Sequence, residues 1–320
     1  APGERVAGYT IERELGRGGM GAVFAAVSPT GQRVALKLLL GVASGQHAER
    51  FVREANAARK LQHPSIVGLH EAGIDDRGRQ FMAMQLVDGE SLRERIEREG
   101  PLPSREAARI ALEVARALEH AHAQFVLHRD LKPHNVLLSR QGQVLLSDFG
   151  LARDAHDARL TNTGELLGTP AYMAPEQAAG ERGSVDARSD IYGLGATLSH
   201  MLAGGPPFEG PALVNIITSV LTRPPARPSS RAKGVDPVLE AICLRCLEKL
   251  QADRFSSVAA LGHELERWLG ATSTPAPRRT GLAVAVAVAV AVAIAIGVVV
   301  GLRVPAATPP GAVAVVDTAS

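Results

Sequence analysis

Three residues of one short loop have the types and spacing for chemistry on a phosphate group. Residues 128–135 read His-Arg-Asp-Leu-Lys-Pro-His-Asn, which places a carboxylate at Asp130, a cation at Lys132 and an amide at Asn135. Short apolar runs stand on both sides, so the loop is expected to be held between two strands, where a site can be mounted rigidly. Alone, the segment is equally compatible with an ordinary polar loop, and its interpretation depends on the surrounding chain.

A glycine-rich segment near the start of the chain has the composition of a phosphate-binding loop. Residues 16–23 read Gly-Arg-Gly-Gly-Met-Gly-Ala-Val, and glycines let backbone amides approach phosphate oxygens without a side chain in the way. The GxGxxG spacing is weak evidence by itself. Here strand-like residues follow it, whereas a dinucleotide-binding loop opens a helix and a Walker loop requires Gly-Lys followed by Ser or Thr. We therefore predict a hairpin that covers phosphate groups.

Two charged residues could complete a phosphate site beneath this hairpin. Lys37 lies in a mostly apolar, strand-like run at residues 33–39, as either an outward-facing edge lysine or a cation held under the glycines. Residues 49–62 have the apolar spacing of a helix. Glu54 lies beside the apolar stripe of that helix, as either a solvated carboxylate or the partner that fixes Lys37.

A long aperiodic segment occupies the middle of the chain. The turn Asp148-Phe149-Gly150 follows a short strand, and residues 152–169 then show neither helical nor strand periodicity. A loop of this length inside a compact domain is usually functional. The segment contains three threonines, Thr161, Thr163 and Thr169.

The composition limits the classes of function. Charged residues make up 21% and hydrophobic residues 46% of the chain, which is typical of globular proteins. The net charge is only +2, and no basic run interleaves with aromatic residues, so we expect no binding of nucleic acid. The two cysteines, Cys243 and Cys246, lack further zinc ligands at the usual spacing and are expected to be plain buried residues.

Residues 281–302 contain no charged or polar side chain. About 22 helical residues span roughly 33 Å, which is enough to cross the apolar core of a bilayer. A transmembrane helix is therefore predicted, the alternative being a buried core helix. Arginines are more frequent before this segment than after it, which places the large preceding domain in the cytoplasm.

Taken together, these motifs resemble the protein kinase signature set in both content and order. The motifs are the glycine-rich segment, Val-Ala-Leu-Lys at residues 34–37, the loop at 128–135, Asp-Phe-Gly at 148–150 and Ala-Pro-Glu at 174–176. The runs Tyr-Met-Ala-Pro-Glu-Gln and Ser-Asp-Ile-Tyr-Gly-Leu-Gly resemble bacterial eukaryotic-like serine/threonine kinases, in particular the membrane-anchored PknB-like group.

The resemblance implies an α+β fold with two lobes. The kinase domain would cover residues 9–268, with a β-rich N-lobe at 9–87 and a helical C-lobe at 88–268. A juxtamembrane linker at 269–280, the transmembrane helix at 281–302 and a short extracytoplasmic tail at 303–320 would follow.

The resemblance also implies roles for individual residues. Asp130 would accept the proton of the substrate hydroxyl, and Lys132 would neutralise the γ-phosphate. Lys37 would hold the α- and β-phosphates of ATP and pair with Glu54. The metal ion, Mg²⁺, would be held by Asn135 and Asp148. The ATP-binding residues would be Leu15, Gly16, Gly18, Gly21, Val23, Ala35, Lys37, Met84, Gln85 and Val87.

The resemblance also implies sites of phosphorylation, a residue of the substrate pocket and two structural contacts. Thr161 and Thr163 would be sites of autophosphorylation, and Thr169 would line the pocket for the substrate hydroxyl. Two structural contacts are also implied, namely a pair between Glu176 and Arg254 and a contact from Asp190 that supports the catalytic loop.

The implied function is transfer of the ATP γ-phosphoryl group to serine and threonine hydroxyls of proteins. The chain would sit in the cell membrane by a single span, and a homodimer through the small lobe is a further implied partner. The alternative is a pseudokinase scaffold, which should have lost Lys37, Asp130 or Asp148, and all three are present.

Overall fold

The computed structural model describes residues 2–18, 21–42, 46–149 and 170–272. Residues Ala1–Ala271 form one compact unit with two lobes. Within the described part of the chain, no helix combines the length and the apolar character needed to cross a membrane. The predicted membrane helix at 281–302 and the tail at 303–320 lie outside the described residues.

The N-lobe is an antiparallel sheet with one helix, α1 (Gln46–Ala58). Its six strands are ordered β1-β2-β3-β4-β6-β5. They are β1 (Arg5–Val6), β2 (Tyr9–Gly18), β3 (Gly21–Val27), β4 (Arg33–Val42), β5 (Leu69–Ile74) and β6 (Arg79–Gln85). The hairpin predicted over the glycines is the β2–β3 pair, whose register brings Gly18 opposite Gly21.

Strand alternation decides which way Lys37 points. Val34 and Leu36 pack into a core on one face of the sheet, with Tyr9 and Phe81. Ala35 and Leu39 pack into a core on the opposite face, with Phe51 of α1 and Leu145 of the C-lobe. Successive side chains of a strand point to opposite faces, so Lys37 shares the face of Ala35 and Leu39. It is only 8% exposed, which excludes the outward-facing edge lysine.

The helix predicted at residues 49–62 begins and ends earlier, at Gln46 and Ala58. The chain then tightens, because the amides of Lys60 and Leu61 bond to carbonyls three residues back rather than four. The helical pattern of apolar residues does not reveal this change, since Leu61 remains buried after the helix has ended.

The C-lobe is helical with a small three-stranded sheet. The strands, ordered β7-β8-β9, are β7 (Gly89–Ser91), β8 (Val136–Ser139) and β9 (Val144–Leu146). The helices are α2 (Leu92–Glu99), α3 (Ser104–His122), α4 (Pro175–Ala178), α5 (Ala187–Ala203), α6 (Leu213–Thr222), α7 (Pro237–Cys246) and α8 (Val258–Ala271). Helix α5 is buried almost throughout, and one continuous core surrounds it. The α+β fold with two lobes is therefore confirmed, although α8 continues to Ala271, beyond the predicted domain end at 268.

Candidate active site

The loop at residues 128–135 lies between α3 and β8 and is fastened to the buried start of α5. Asp190 of α5 accepts hydrogen bonds from the backbone amides of His128 at 2.9 Å and Arg129 at 2.7 Å. Arg129 has a φ of 63°, in the left-handed region that costs an L-residue free energy and persists only where its surroundings hold it. The implied support of the loop by Asp190 is thus confirmed.

Asp190 remains charged although it is only 1% exposed. Burial would raise the pKa of its carboxyl group, but the hydrogen bond from His122 at 2.8 Å and the donors of the loop outweigh burial and leave the pKa below its usual value. A buried carboxylate with several donors is a fixed acceptor, which suits a residue that sets a backbone conformation.

The three polar residues of the loop form one hydrogen-bonded group. The ammonium of Lys132 lies 2.8 Å from Oδ2 of Asp130. The amide nitrogen of Asn135 donates to the backbone oxygen of Asp130 at 2.7 Å and contacts its Oδ2 at 3.3 Å. Asp130 is therefore oriented from two sides, by a cation and by an amide. This arrangement excludes the ordinary polar loop, in which these side chains would face water.

His128 connects this loop to the segment that carries Asp148. Its Nδ1 accepts from the amide of Asp130 at 3.3 Å, so its Nε2 is the atom that donates to the carbonyl oxygen of Ser147 at 2.9 Å. Its ring packs on that of Phe149, with centroids 4.8 Å apart. The carboxylates of Asp130 and Asp148 are therefore held in one rigid frame.

Lys37 reaches this frame from the N-lobe. Its ammonium lies 2.7 Å from Oδ1 of Asp148. This distance between the two charged groups is that of an ion pair, but the angles at the two atoms do not meet the geometry of a hydrogen bond. Burial would raise the pKa of Asp148, and the positive charge of Lys37 more than offsets this, so the pKa is lowered.

The implied ion pair between Lys37 and Glu54 is not the one that the structure contains. Glu54 Oε1 lies 3.8 Å from Nη1 of Arg129, while Lys37 pairs with Asp148. Glu54 of α1 thus contacts the catalytic loop, while Lys37 contacts the segment that carries Asp148. This prediction for the pairing of Glu54 was wrong for the structure described here.

The predicted ATP-binding residues line one cleft between the lobes, with a volume of about 1100 Å³. They are Leu15, Gly16, Gly18, Gly21, Val23, Ala35, Lys37, Met84, Gln85 and Val87, and they are joined there by Lys132, Asn135 and Asp148. Gly21 shows why a glycine is needed in the hairpin. A Cβ at this position would lie 2.0 Å from the carbonyl oxygen of Leu38, and its φ of 152° is unfavourable for other residues.

The donor set at the inner end of the cleft fits a magnesium ion. Among the described residues, Oδ1 of Asp148 is buried without a directed hydrogen bond and is held by the ion pair with Lys37, so it becomes available to a metal when that pair loosens. Asn135 uses its amide nitrogen for Asp130, so its Oδ1 is the atom that remains for a metal. A carboxylate and an amide oxygen are hard ligands of the kind that Mg²⁺ prefers.

Comparison with known proteins identifies the family. The protein kinase domain family matches residues 9–265. The chain belongs to the protein kinase family.

Two relatives of this kinase domain come from Mycobacterium tuberculosis. The chain is 40% identical to the serine/threonine-protein kinase PknJ of Mycobacterium tuberculosis, over 97% of this chain and 54% of that protein. It is 37% identical to PknD of the same organism, over 88% of this chain and 45% of that protein. The chain thus spans about half the length of the curated relatives it matches.

Solved structures agree with this assignment. The crystal structure of the Mycobacterium tuberculosis PknI kinase domain superposes with a TM-score of 0.68 at 32% identity, covering 83% of this chain and 98% of that one. The superposition covers nearly all of the PknI domain, so the two-lobed arrangement is shared over its whole length.

The kinase domain brings most of the predicted site residues together. Lys37, Lys132, Asn135 and Asp148 line the cleft, and Asp130 is hydrogen-bonded to Lys132 and Asn135 beside it. The predicted pair of Glu176 and Arg254 is also present, with two contacts of 2.9 Å, and is confirmed. Three predicted residues, Thr161, Thr163 and Thr169, lie outside the described residues.

Inspection of the sequence missed one residue at the site. The side chain of Gln177, in α4, donates to the backbone oxygen of Arg129 at 3.2 Å. Gln177 ends the run Tyr-Met-Ala-Pro-Glu-Gln that was used to recognise the family, but no role was assigned to it. The only available signal was its position directly after Ala-Pro-Glu.

Proposed function

We propose that this protein is an ATP-dependent protein kinase that phosphorylates serine and threonine hydroxyls of proteins. The observation that carries the proposal is the convergence of Asp130, Asn135 and Asp148 at the inner end of a cleft that is also lined by Lys37 and the glycine hairpin. Phosphoryl transfer depends on positioning and charge neutralisation, and these residue types supply both. The relatives PknJ and PknD carry the name serine/threonine-protein kinase.

Each residue has a role that follows from its contacts. The carboxylate of Asp130, oriented by Lys132 and Asn135, accepts the proton of the attacking hydroxyl. Lys37 neutralises phosphate charge from the N-lobe side of the cleft, and Lys132 does so from the C-lobe side. Asn135 and Asp148 would hold Mg²⁺, which supplies further neutralisation of phosphate charge.

Substitution of Asp130 tests this function. The protein with Asp130→Asn should lose phosphoryl transfer from ATP to a generic protein acceptor by at least about a hundredfold, the lower end of the range for one general base. Asp76→Asn is the matched control, because Asp76 is exposed in the turn between β5 and β6. If Asp130→Asn phosphorylates as well as the parent, the assigned base is wrong. If the parent itself binds ATP without any transfer, the pseudokinase scaffold becomes the better description.

Autophosphorylation is part of the same proposal. Thr161 and Thr163 lie in the segment between Asp-Phe-Gly and Ala-Pro-Glu, where kinases of this type carry such sites. Arg129 would meet the added phosphate through charge-assisted hydrogen bonds. Mass spectrometry of active protein should find phosphate on at least one of the two threonines, and two bare threonines would contradict the proposal.

Membrane attachment through residues 281–302 is proposed on the sequence alone. The full chain should float with liposomes. A double substitution, Val290→Arg with Val292→Arg, should release it, because an arginine at the centre of a spanning helix costs about 2.5–3.5 kcal/mol. Val290→Leu with Val292→Leu is the matched control. Flotation of the arginine variant equal to that of the control would rule out a spanning role.

A further inference from the structure

Gln177 is hydrogen-bonded at both ends of its side-chain amide. Its Nε2 donates to the backbone oxygen of Arg129 at 3.2 Å, and its Oε1 accepts from the backbone amide of Ala174 at 3.1 Å. A carbonyl oxygen accepts and a backbone amide donates, so these two partners fix which end of the amide is nitrogen. Gln177 therefore connects the backbone that follows the aperiodic segment with the backbone of the catalytic loop.

The carbonyl that Gln177 contacts belongs to the peptide that joins Arg129 to Asp130. The amide of the same peptide, on Asp130, bonds to the backbone oxygen of His128 at 2.8 Å. Asp190 holds the preceding amide, that of Arg129, at 2.7 Å. Arg129 is in the left-handed conformation. This backbone conformation costs free energy, so it persists only while neighbouring groups hold the peptides on either side of Arg129. Gln177 contacts the oxygen side of the peptide that determines where the Cα of Asp130 lies.

The contact lies beside a small crevice between the catalytic loop and α4. Gln177, Arg129, Asp130 and Tyr172 line this crevice. The amide of Gln177 thus donates to the Arg129 carbonyl at the boundary between the two segments.

We propose that Gln177 is a positioning residue for Asp130. The inference rests on the proposed kinase function, in which Asp130 is the base. Gln177 holds the peptide before Asp130 from its oxygen side, while Asp190 holds the amide one residue earlier. The same side chain is anchored at Ala174, so a displacement of the backbone at 174–177 acts through one hydrogen bond on the peptide that joins Arg129 to Asp130.

A simpler role has to be separated from this one. The bond between Gln177 and Ala174 fastens the start of α4, a helix of only four residues, and its loss could act through local folding. Gln177→Glu keeps an oxygen for the Ala174 amide but cannot donate to Arg129. Gln177→Met removes both bonds while it keeps the volume of the side chain, so that no space for water opens.

Steady-state kinetics distinguish the two roles. Both variants should lower kcat about two- to tenfold, the range expected for loss of one net hydrogen bond. The KM for ATP should stay within about twofold, because Gln177 is not among the residues that line the ATP cleft. Gln141→Met and Gln141→Glu are matched controls at an exposed turn between β8 and β9. A Gln177→Glu protein with the kcat of the parent would overturn the proposal, since only the anchor at Ala174 would then matter.

Hydrogen–deuterium exchange gives a readout that does not depend on activity. Amides in the peptide covering residues 126–131 should exchange about two- to tenfold faster in both Gln177 variants, while amides of the buried helix α5 should be unchanged. Unchanged exchange at residues 126–131 would overturn the positioning role even if the parent is an active kinase. Faster exchange at residues 126–131 in the variants, together with a parent that transfers no phosphate, would support the positioning of Asp130 and contradict the kinase function instead.

Discussion

The ammonium of Lys37 lies 2.7 Å from Oδ1 of Asp148, so the cation of the N-lobe is paired with the carboxylate assigned to the metal. Glu54, the other possible partner of Lys37, contacts Arg129 at 3.8 Å instead. Lys37 can bind phosphate oxygens and Asp148 can bind a metal only if this pair is loosened. A carboxylate that takes over Lys37 would compensate for that loss, and Glu54 is the residue to which the family resemblance assigns this role.

Substitution of Glu54 tests this exchange. Glu54→Gln should lower kcat/KM about ten- to hundredfold, the range for loss of a hydrogen bond to a charged group. Glu49→Gln, an exposed carboxylate in the first turn of the same helix, should leave kcat/KM unchanged. Steady-state assays with varied ATP check both. A Glu54→Gln enzyme as active as the parent would mean that Lys37 does not require Glu54 during turnover.

The buried pair of Glu176 and Arg254 should make stability depend on pH. Burial would raise the pKa of Glu176, but hydrogen bonds from Arg254 and Ser189 lower it to about 2. A carboxyl group whose pKa is lower in the folded state stabilises the fold above its unfolded pKa, and this contribution is lost as the pH falls through the folded pKa. The contribution is therefore complete above about pH 4.5 and decreases towards pH 2; from a shift of this size it amounts to about 3 kcal/mol.

Urea unfolding of Glu176→Gln at several pH values measures this contribution. At pH 7 the variant should lose about 3–5 kcal/mol of unfolding free energy, because it leaves the guanidinium of Arg254 buried without its counterion. The difference from the parent should shrink as the pH is lowered from 4.5 to 3. Glu248→Gln, at an exposed position near Arg254, serves as the control. A difference that stays constant with pH would show that folding does not lower the pKa of Glu176.

Substitution of two glycines of α5 should affect the unfolding free energy and kcat to different degrees. A Cβ on Gly195 would lie 2.4 Å from the Cβ of Cys246, and a Cβ on Gly193 would lie 3.0 Å from that of Leu131, the neighbour of Asp130. Gly195→Ala should therefore lower the unfolding free energy by about 1–3 kcal/mol, as overpacked cores do. Gly193→Ala should lower kcat more than Gly195→Ala does, since it displaces the catalytic loop. Equal effects of both variants on kcat and on unfolding would refute this division.

The resemblance to protein kinases predicted the parts of the site that depend on local order, which the residue patterns alone had left open. The alternation of Val34, Ala35 and Leu36 determines the face of Lys37, and the spacing within residues 128–135 determines which groups surround Asp130. The pairing of Lys37 could not be predicted, because it depends on how far α1 lies from the sheet. Helical periodicity predicts only which residues of a helix face inward, not the position of the helix. The contact of Gln177 was missed for a related reason, since it depends on the left-handed turn at Arg129.

The two cysteines provide a chemical test of the C-lobe core. Cys243 and Cys246 are free thiols, 0% and 1% exposed. Burial raises the pKa of Cys246 to about 12 and that of Cys243 well above its usual value, and only the thiolate reacts rapidly with disulfide reagents. We expect no labelling of the native protein at pH 8 and reaction of two thiols per chain in denaturant. Because labelling requires the contact between α5 and α7 to open, its rate in dilute urea should follow the rate of unfolding. Stoichiometric labelling of the folded protein within minutes would contradict the packing of Gly195 against Cys246.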